Sequence, residues 1–139
     1  MTRIGKRFDE LKNQGKKGFV AYITAGDPDL KATHQMVVEL DRQGVDVLEL
    51  GVPFSDPLAD GPVIQEASQR ALVGGATLEG VLSMVADLRV ESEIPIVLFT
   101  YFNPIHRYGI ERFVKRAVEV GVDGVLMLDL PPEEGIEYK

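Results

Sequence analysis

The sequence predicts an α/β fold built on a parallel sheet, and three observations lead to that prediction. Four short runs rich in β-branched and aromatic residues are typical of strands. Longer segments with apolar residues three and four positions apart separate them and predict helices. The strand segments are almost continuously apolar, as expected of parallel strands covered by helices. We therefore expect repeated strand–helix–strand units joined by right-handed crossovers.

The first two predicted strands are each followed by a helix. Residues 18–24 form a compact apolar run that closes at a turn, and helical periodicity then extends over Leu30–Arg42. Gly44 stands where a helix end favours a residue that tolerates positive φ. Residues 45–52 are predicted to form the second strand. After a proline-rich loop, Pro62 suits the first turn of a helix that extends to about residue 73.

The remaining elements continue this alternation. They are the helix 78–90, the strand 94–101, a loop at 102–104, the helix Ile110–Val120, the strand 124–130 and a further helix opened by Pro131. A pair of glycines at 74–75 separates the helices on either side of it, and Gly121 ends a helix in the same way as Gly44.

Two parallel architectures fit this order: a flavodoxin-like sheet or part of a β/α barrel. A complete eightfold barrel needs about 250 residues, whereas this chain has 139 residues and four predicted strands. The chain would therefore form about the first four β/α units, a half barrel, with residues 1–139 as one incomplete domain. The sequence stops inside the fourth unit, so we expect an interrupted barrel.

Composition excludes several classes of function. The formal net charge of −7 argues against a nucleic-acid partner. No apolar run reaches the length of about 18 residues that a membrane span needs, and the N-terminus has no signal-peptide core. The chain has no cysteine, so disulfides and thiolate chemistry are absent. Neither a Walker A motif nor G-x-G-x-x-G occurs. A cytoplasmic protein is the default expectation.

Polar residues collect at the carboxyl ends of the predicted strands, where β/α barrels place their active sites. They are Asp27, Glu49, Asp60, Asn103 and Asp129. Alternation along the second strand puts Glu49 on the face shared with two valines, so it would project inward near the rim and suit proton transfer. A glutamate that simply reaches water is the alternative. Asp60 alone is better explained as a turn or capping carboxylate, and capping also fits Asp129 best.

The other candidate side chains give weaker evidence for a functional site. His34 and His106 have no second histidine at metal-ligand spacing, so both are interpreted as surface residues and no metal site is predicted. Ser55 lacks the context of a nucleophile elbow. No predicted strand contains a lysine, which counts against Schiff-base aldolase chemistry.

Four segments together resemble the tryptophan synthase alpha subunit family. The segments are LELGVPFSDPLADGP at 48–62, FVAYITAGDP at 19–28, PIVLFTYFNP at 95–104 and GVDGVLMLDLPP at 121–132. The resemblance implies a TIM barrel and a lyase that splits indole-3-glycerol phosphate into indole and glyceraldehyde 3-phosphate in tryptophan biosynthesis. It places the two catalytic acids of the family on Glu49, the general acid/base, and Asp60, which stabilises positive charge at the indole nitrogen.

The resemblance also assigns a pocket and a partner. Tyr22, Phe99, Leu126 and Leu128 fall where the family lines its indole pocket, with Tyr22 at a position where phenylalanine is frequent. Plain core packing explains the two leucines about as well. Pro53, Asp56, Asn103 and Pro132 fall on the face that contacts a beta subunit in an α2β2 assembly. The subunit itself would need no cofactor, whereas the beta subunit carries pyridoxal phosphate.

The family's phosphate-holding segments belong to the later half of the barrel, which this sequence does not contain. We therefore expect little or no lyase activity from the 139 residues alone. Two open sheet edges and half a barrel core also predict self-association. Two other functions stay open: a non-catalytic module that docks on the beta subunit through residues 53–60, and an unrelated β/α enzyme that cleaves another sugar phosphate.

Overall fold

The computed structural model describes residues 1–138 and contains four strands and six α-helices. In chain order they are α1 (Arg3–Asn13), β1 (Val20–Thr24), α2 (Leu30–Arg42), β2 (Val47–Gly51), α3 (Pro62–Val73), α4 (Leu78–Leu88), β3 (Ile96–Thr100), α5 (Phe102–Tyr108), α6 (Ile110–Val120) and β4 (Gly124–Met127). A 3₁₀ turn, Glu134–Tyr138, follows β4.

The strands form one parallel sheet in the order β1-β2-β3-β4, which confirms the predicted alternation. Alternate strand residues face a layer of helices, and Leu48, Leu50, Ile96 and Leu98 on that side are completely buried. Helices α2, α4 and α6 cover them with residues such as Val37 and Phe113. Burial of large aliphatic side chains between sheet and helices supplies the main stabilising term of the fold.

The opposite face of the sheet is concave and less covered. Register places Tyr22 beside Glu49, Glu49 beside Val97, and Val97 beside Gly124 in one row across the four strands. Residues in register share a face, so this row lies on the side away from the helices. Glu49 is therefore on the concave face, as strand alternation predicted.

Two aspartates, Asp46 and Asp123, link the amino ends of neighbouring strands in the same way. Asp46 accepts the N–H of Phe19 at 2.7 Å, and Asp123 accepts the N–H of Ile96 at 2.9 Å. In each case the same aspartate's own N–H donates back to the partner's carbonyl. Both aspartates follow the same Gly-Val dipeptide, so one local sequence closes the start of β1 and of β3.

Helix α1 was not predicted, although Ile4, Phe8 and Leu11 stand at helical spacing. Thr2 caps it by accepting the N–H of Gly5, and only Leu11 of the helix is buried. Long-range ion pairs hold it instead: Arg3 contacts Asp123 at 3.2 Å and Arg7 contacts Asp46 at 2.6 Å. These contacts exist only once the strands have assembled, so a reading of the local pattern cannot find them.

The predicted loop at 102–104 was wrong, since these residues open helix α5. Pro104 falls within the first turn, where its missing N–H costs nothing. Asp129 accepts the N–H of Phe102 at 2.8 Å, so it does act as a cap, but for the helix that follows β3. The strands are each shorter than predicted, and the segment after Pro131 forms a 3₁₀ turn.

Within residues 1–138, no single helix is both long and apolar enough to cross a membrane; α3 and α4 reach that length and composition only as a pair bent by 91°.

Candidate functional site

The carboxyl ends of the strands and the loops that follow them form one rim around the concave face. Tyr22 lies across this face from β1, and its ring meets that of Phe99 on β3 edge to face, with centroids 5.3 Å apart. Gly51, between them on β2, makes the crossing possible: a Cβ there would lie 2.2 Å from the Tyr22 hydroxyl oxygen. Gly51 is thus required for the contact between Tyr22 and Phe99, and these two rings form the aromatic floor of the concave face.

Glu49 stands on this floor in register with Tyr22 and Val97. Its side chain is partly exposed, while its strand neighbours Leu48 and Leu50 are completely buried on the other face. The carboxylate is therefore accessible to a molecule bound over the concave face. A glutamate with a purely structural role would not need to be accessible in this way.

Asp60 is held at the same rim by Tyr101. The Tyr101 hydroxyl donates to Oδ2 of Asp60 at 2.9 Å and accepts the N–H of Ala59 at 3.0 Å. The Tyr101 ring is buried and packs against Phe54 with centroids 5.2 Å apart. One buried side chain thus fixes both the backbone before Asp60 and the orientation of its carboxylate.

A second side chain fastens the same loop from helix α3. Nε2 of Gln65 donates to the carbonyl of Asp60 at 2.9 Å and to that of Pro57 at 3.3 Å. The loop therefore has fixed contacts on two sides, and the Asp60 carboxylate has a defined position relative to the sheet.

Tyr22 links the two acids electrostatically. Burial raises the pKa of its phenol, the hydrogen bond with Thr24 lowers it, and the negative charges of Asp60 and Glu49 raise it further. Both carboxylates therefore contribute to the raised pKa of this phenol. The Tyr22 hydroxyl stays protonated near neutral pH and adds a polar group to a floor that is otherwise apolar.

The two predicted pocket leucines are at the edge of this floor. Leu126 is in register with Phe99 on β4, is on the concave face, and is 39% exposed. Leu128 follows the strand, and its N–H donates to the carbonyl of Thr100 at 3.0 Å. The sheet therefore brings Tyr22, Phe99 and Leu126 to one surface.

The four predicted partner-contact residues lie in or after the segments that follow β2, β3 and β4. Asp56, Asn103 and Pro132 are exposed at the rim, whereas Pro53 is buried under the loop it begins. Among residues 54–60, Leu58 is 90% exposed, and the Ser55 hydroxyl donates to Asp56 at 2.7 Å. The outward surface of this loop is thus formed mainly by the exposed residues Ser55, Asp56, Leu58 and Ala59.

Two residues of the site were missed at the sequence level: Gly51 and Tyr101. A glycine inside an otherwise apolar strand is a usable signal, since it often marks a close approach of another group. Tyr101 gave no comparable signal, because its role depends on a loop about forty positions away in sequence. Within residues 1–138 no group of three or more histidine, aspartate or glutamate side chains could hold a metal ion.

Comparison with known proteins assigns the chain to a family. The model of the tryptophan synthase alpha chain matches residues 8–139. The chain belongs to the tryptophan synthase alpha chain family.

Curated relatives are similar to this sequence along all of it. A tryptophan synthase alpha chain of Geotalea uraniireducens is 55% identical over 139 residues, which are 100% of this chain and 52% of that protein. One of Citrifermentans bemidjiense is also 55% identical and is covered to 52%. The chain spans about half the length of the curated relatives it matches.

Solved structures agree with the fold. The tryptophan synthase alpha subunit of Legionella pneumophila str. Paris has a TM-score of 0.96 at 48% identity, covering 99% of this chain and 53% of that one. A tryptophan synthase from M. tuberculosis, in an open form with BRD0059 bound, has a TM-score of 0.92 at 33% identity, covering 99% and 55%. The predicted half-barrel architecture is confirmed by these matches.

Proposed function

We propose that this chain supplies the acid-bearing half of a lyase site for indole-3-glycerol phosphate in tryptophan biosynthesis. The single observation that carries the proposal is the position of Glu49 beside Tyr22 on the concave face, with Asp60 held by Tyr101 in the loop that follows the same strand. Family membership supplies the reaction class. In this proposal residues 1–139 act as the N-terminal half of a barrel, in the cytoplasm, with no cofactor of their own.

The proposed reaction is a retro-aldol cleavage. A proton goes to indole C3, and the bond from C3 to the glycerol chain breaks as the adjacent hydroxyl loses its proton, giving glyceraldehyde 3-phosphate. Glu49, partly exposed on the concave face, is the proposed general acid/base for these transfers. Protonation at C3 leaves positive charge at the indole nitrogen, and a fixed carboxylate nearby stabilises it.

Asp60 suits that second role because its position is fixed before substrate arrives. Tyr101 and Gln65 hold its carboxylate and backbone, so no reorganisation is needed when the charge develops. Tyr22, Phe99, Leu126 and Leu128 are the proposed apolar surround of the indole ring.

The phosphate of the substrate has no proposed ligand in this chain. In barrels this group commonly binds near strands 7 and 8, and the chain spans about half of its relatives. Without that anchor the remote binding energy that orients the substrate is missing. We therefore propose that the 139-residue chain alone turns over little or no substrate.

Indole release, measured at steady state, tests both parts of the proposal. The chain alone should release almost no indole, and adding the separately produced C-terminal half of the Geotalea uraniireducens relative should restore turnover. Glu49→Gln and Asp60→Asn should each then reduce turnover at least a hundredfold, about the size of one acid–base or charge contribution.

Matched controls are Glu66→Gln on α3 and Asp87→Asn on α4, which make the same chemical changes at exposed helix positions. Both should keep the restored turnover. Full turnover by the isolated chain would overturn its proposed inactivity. Unchanged turnover in Glu49→Gln would overturn the assignment of the acid.

A second candidate function is docking on a beta subunit that carries pyridoxal phosphate. The observation that favours it is the exposed tip of the β2–α3 loop, with Leu58 at 90% exposure beside Asp56. Mixing the chain with a beta subunit should stimulate the condensation of serine with indole. Leu58→Asp should abolish that stimulation while Glu49→Gln leaves it, and equal loss in both would contradict docking through this loop.

A further inference from the structure

The chain contains two Asp-Gly steps, Asp60-Gly61 and Asp123-Gly124. An aspartate followed by glycine is prone to a spontaneous rearrangement, because glycine has no side chain to hinder attack by its own backbone nitrogen on the preceding carboxyl group. The product is isoaspartate, in which the main chain runs through the side-chain carbons of the former aspartate. Both steps have the same local chemistry, so the fold decides how readily each of them reacts.

The fold holds the second step, Asp123-Gly124, tightly. The Asp123 side chain is 4% exposed. Its carboxylate accepts from Arg89 at 3.0 Å, from Arg3 at 3.2 Å and from the N–H of Ile96 at 2.9 Å. Gly124 begins β4 and is paired with β3. Neither the carboxylate nor the following peptide can turn without breaking contacts of the sheet.

The first step, Asp60-Gly61, lies in the β2–α3 loop and has fewer contacts. Asp60 is partly exposed and Gly61 is exposed. Within residues 1–138, the Tyr101 hydroxyl is the one donor to the Asp60 carboxylate. Over the same residues the N–H of Gly61 has no hydrogen-bond partner. The nitrogen that would attack is therefore free, and the carboxylate is held at one point only.

The backbone does not require a glycine at position 61. The φ of −75° and the ψ of 170° at Gly61 suit any residue. A Cβ built there would meet nothing within 4 Å. Gly61→Ala would therefore hinder attack by this nitrogen without straining the loop.

Two hydrogen bonds hold the two groups that would react. Closure of the ring needs the Asp60 side chain and the peptide plane that follows it to rotate until the Gly61 nitrogen meets the carboxyl carbon. The Tyr101 hydroxyl holds the carboxylate at 2.9 Å, and Nε2 of Gln65 holds the Asp60 carbonyl at 2.9 Å. Because the peptide is planar, a fixed carbonyl also fixes the Gly61 nitrogen. The loop thus restrains both reacting groups.

We propose that Asp60-Gly61 is a modification site, where this chain slowly converts Asp60 to isoaspartate at a rate that Tyr101 and Gln65 restrain. The Gly61 nitrogen bonds to the carboxyl carbon of Asp60. One carboxyl oxygen leaves as water, with the carboxyl proton and the proton that the nitrogen loses. Water then opens the resulting succinimide: opening at the main-chain carbonyl gives isoaspartate, and opening at the former side-chain carbonyl restores aspartate. Water is the only other reactant.

The modification changes both the loop and its charge. Isoaspartate adds a methylene to the main chain ahead of α3 and moves the free carboxylate away from the position that Tyr101 holds. In the proposed function this removes the fixed charge beside the indole nitrogen, and this consequence alone rests on the proposed function. The loop contacts of Asp60 then set how long the site keeps its acid.

The first test incubates the 139-residue chain at neutral pH and physiological temperature for several weeks. Peptide mass spectrometry with electron-transfer fragmentation then measures isoaspartate at each step. It should accumulate at least about tenfold faster at residue 60 than at residue 123, because loops open more readily than paired strands. In urea the two rates should become similar. Similar rates in the folded chain, no isoaspartate at residue 60, or an equal difference in urea would overturn the proposal.

The second test removes each restraint in turn. Tyr101→Phe should raise the rate at residue 60 roughly tenfold, the factor that loss of a hydrogen bond to a charged acceptor allows. Gln65→Leu should raise it by a smaller factor, because its bond joins neutral groups. The matched control Gln69→Leu, at an exposed position on the same helix, should leave the rate unchanged. An unchanged rate in Tyr101→Phe, or an equal increase in Gln69→Leu, would overturn the assigned restraint.

The third test blocks the reaction without loosening the loop. Gly61→Ala should lower the rate at residue 60 roughly tenfold, since its Cβ hinders the nitrogen, and should keep the urea midpoint of the parent chain. An unchanged rate would overturn Gly61 as the attacking residue. The step at residue 123 is the internal control throughout, because global unfolding would accelerate both steps. None of these measurements depends on indole release, so they fail or succeed separately from the proposed function.

Discussion

Replacing Tyr101 by phenylalanine removes one hydroxyl and leaves the ring that packs on Phe54. That hydroxyl donates to Asp60 at 2.9 Å and accepts from the N–H of Ala59 at 3.0 Å. The substitution therefore isolates the polar contacts of the loop from its apolar support. We expect the loop that carries Asp60 to loosen while the sheet and its helical cover stay in place.

The magnitude follows from the two hydrogen bonds. A bond to a charged acceptor contributes about 1.5–3 kcal/mol and one between neutral groups about 0.5–1.5 kcal/mol. Ala59 is exposed and Asp60 is partly exposed, so water replaces much of what is lost. We therefore expect Tyr101→Phe to lower the free energy of unfolding by about 1–2 kcal/mol.

Urea unfolding of Tyr101→Phe, Asp60→Asn and the double variant measures the coupling. Because the two side chains share one bond, their effects should be non-additive by about 1 kcal/mol. Tyr108→Phe is the matched control: Tyr108 bonds to Glu79, far from this loop. Its effect should add to that of Asp60→Asn without coupling.

An absorbance titration near 295 nm gives an independent check. Burial, followed by the hydrogen bond to Asp60, raises the pKa of Tyr101 above that of an ordinary tyrosine. Asp60→Asn should therefore lower the pKa of Tyr101 and also that of Tyr22, and Tyr101→Phe should remove the first of these phenols from the titration. Additive free energies together with an unchanged titration would refute the inference that Tyr101 positions Asp60.

Three further predictions concern the sheet and its ion pairs. Arg89→Met should lower the free energy of unfolding by about 3 kcal/mol in urea, since it leaves a buried aspartate carboxylate without its closest cation; an unchanged midpoint would contradict this. Gly51→Ala should cost about 1–3 kcal/mol by overpacking, because its Cβ would lie 2.2 Å from the Tyr22 hydroxyl oxygen, and Tyr22→Ala should relieve most of that cost in the double variant. Arg70 lowers the pKa of Asp27 below its unfolded value, so this pair stabilises the fold at neutral pH and its contribution is lost as pH falls below about 4; thermal unfolding at pH 7 and pH 3 should show a smaller loss in Asp27→Asn than in the parent chain.

The elements that could be predicted are those whose signal is local. Helix α2 begins and ends where its periodicity and Gly44 place it, and Gly121 ends α6 in the left-handed conformation expected of such a cap. Glu49 could be placed on the concave face because strand alternation needs no knowledge of the partners. No prediction was made for helix α1, and the predicted loop at 102–104 was wrong; an ion pair from Asp46 and a hydrogen bond to Asp129, both distant in sequence, stabilise these helices.

Asp60 shows most clearly which properties of the site could be predicted from the sequence and which depend on the folded structure. The segment 48–62 resembles the family in its sequence. From the local pattern alone, however, Asp60 was best explained as a turn carboxylate. Only the packing of β3 beside β2 brings Tyr101 under the loop and turns the carboxylate toward the rim.

By itself, the sequence determined the alternation of four strands with helices α2, α3, α4 and α6, the face on which Glu49 lies, and the family. These follow from periodicity and from motifs that are contiguous in the chain. The tertiary structure alone decided that Tyr22 crosses Gly51 to meet Phe99 and that Tyr101 holds Asp60. Such contacts join residues from different strands, and the distances between them are set only when the sheet has assembled.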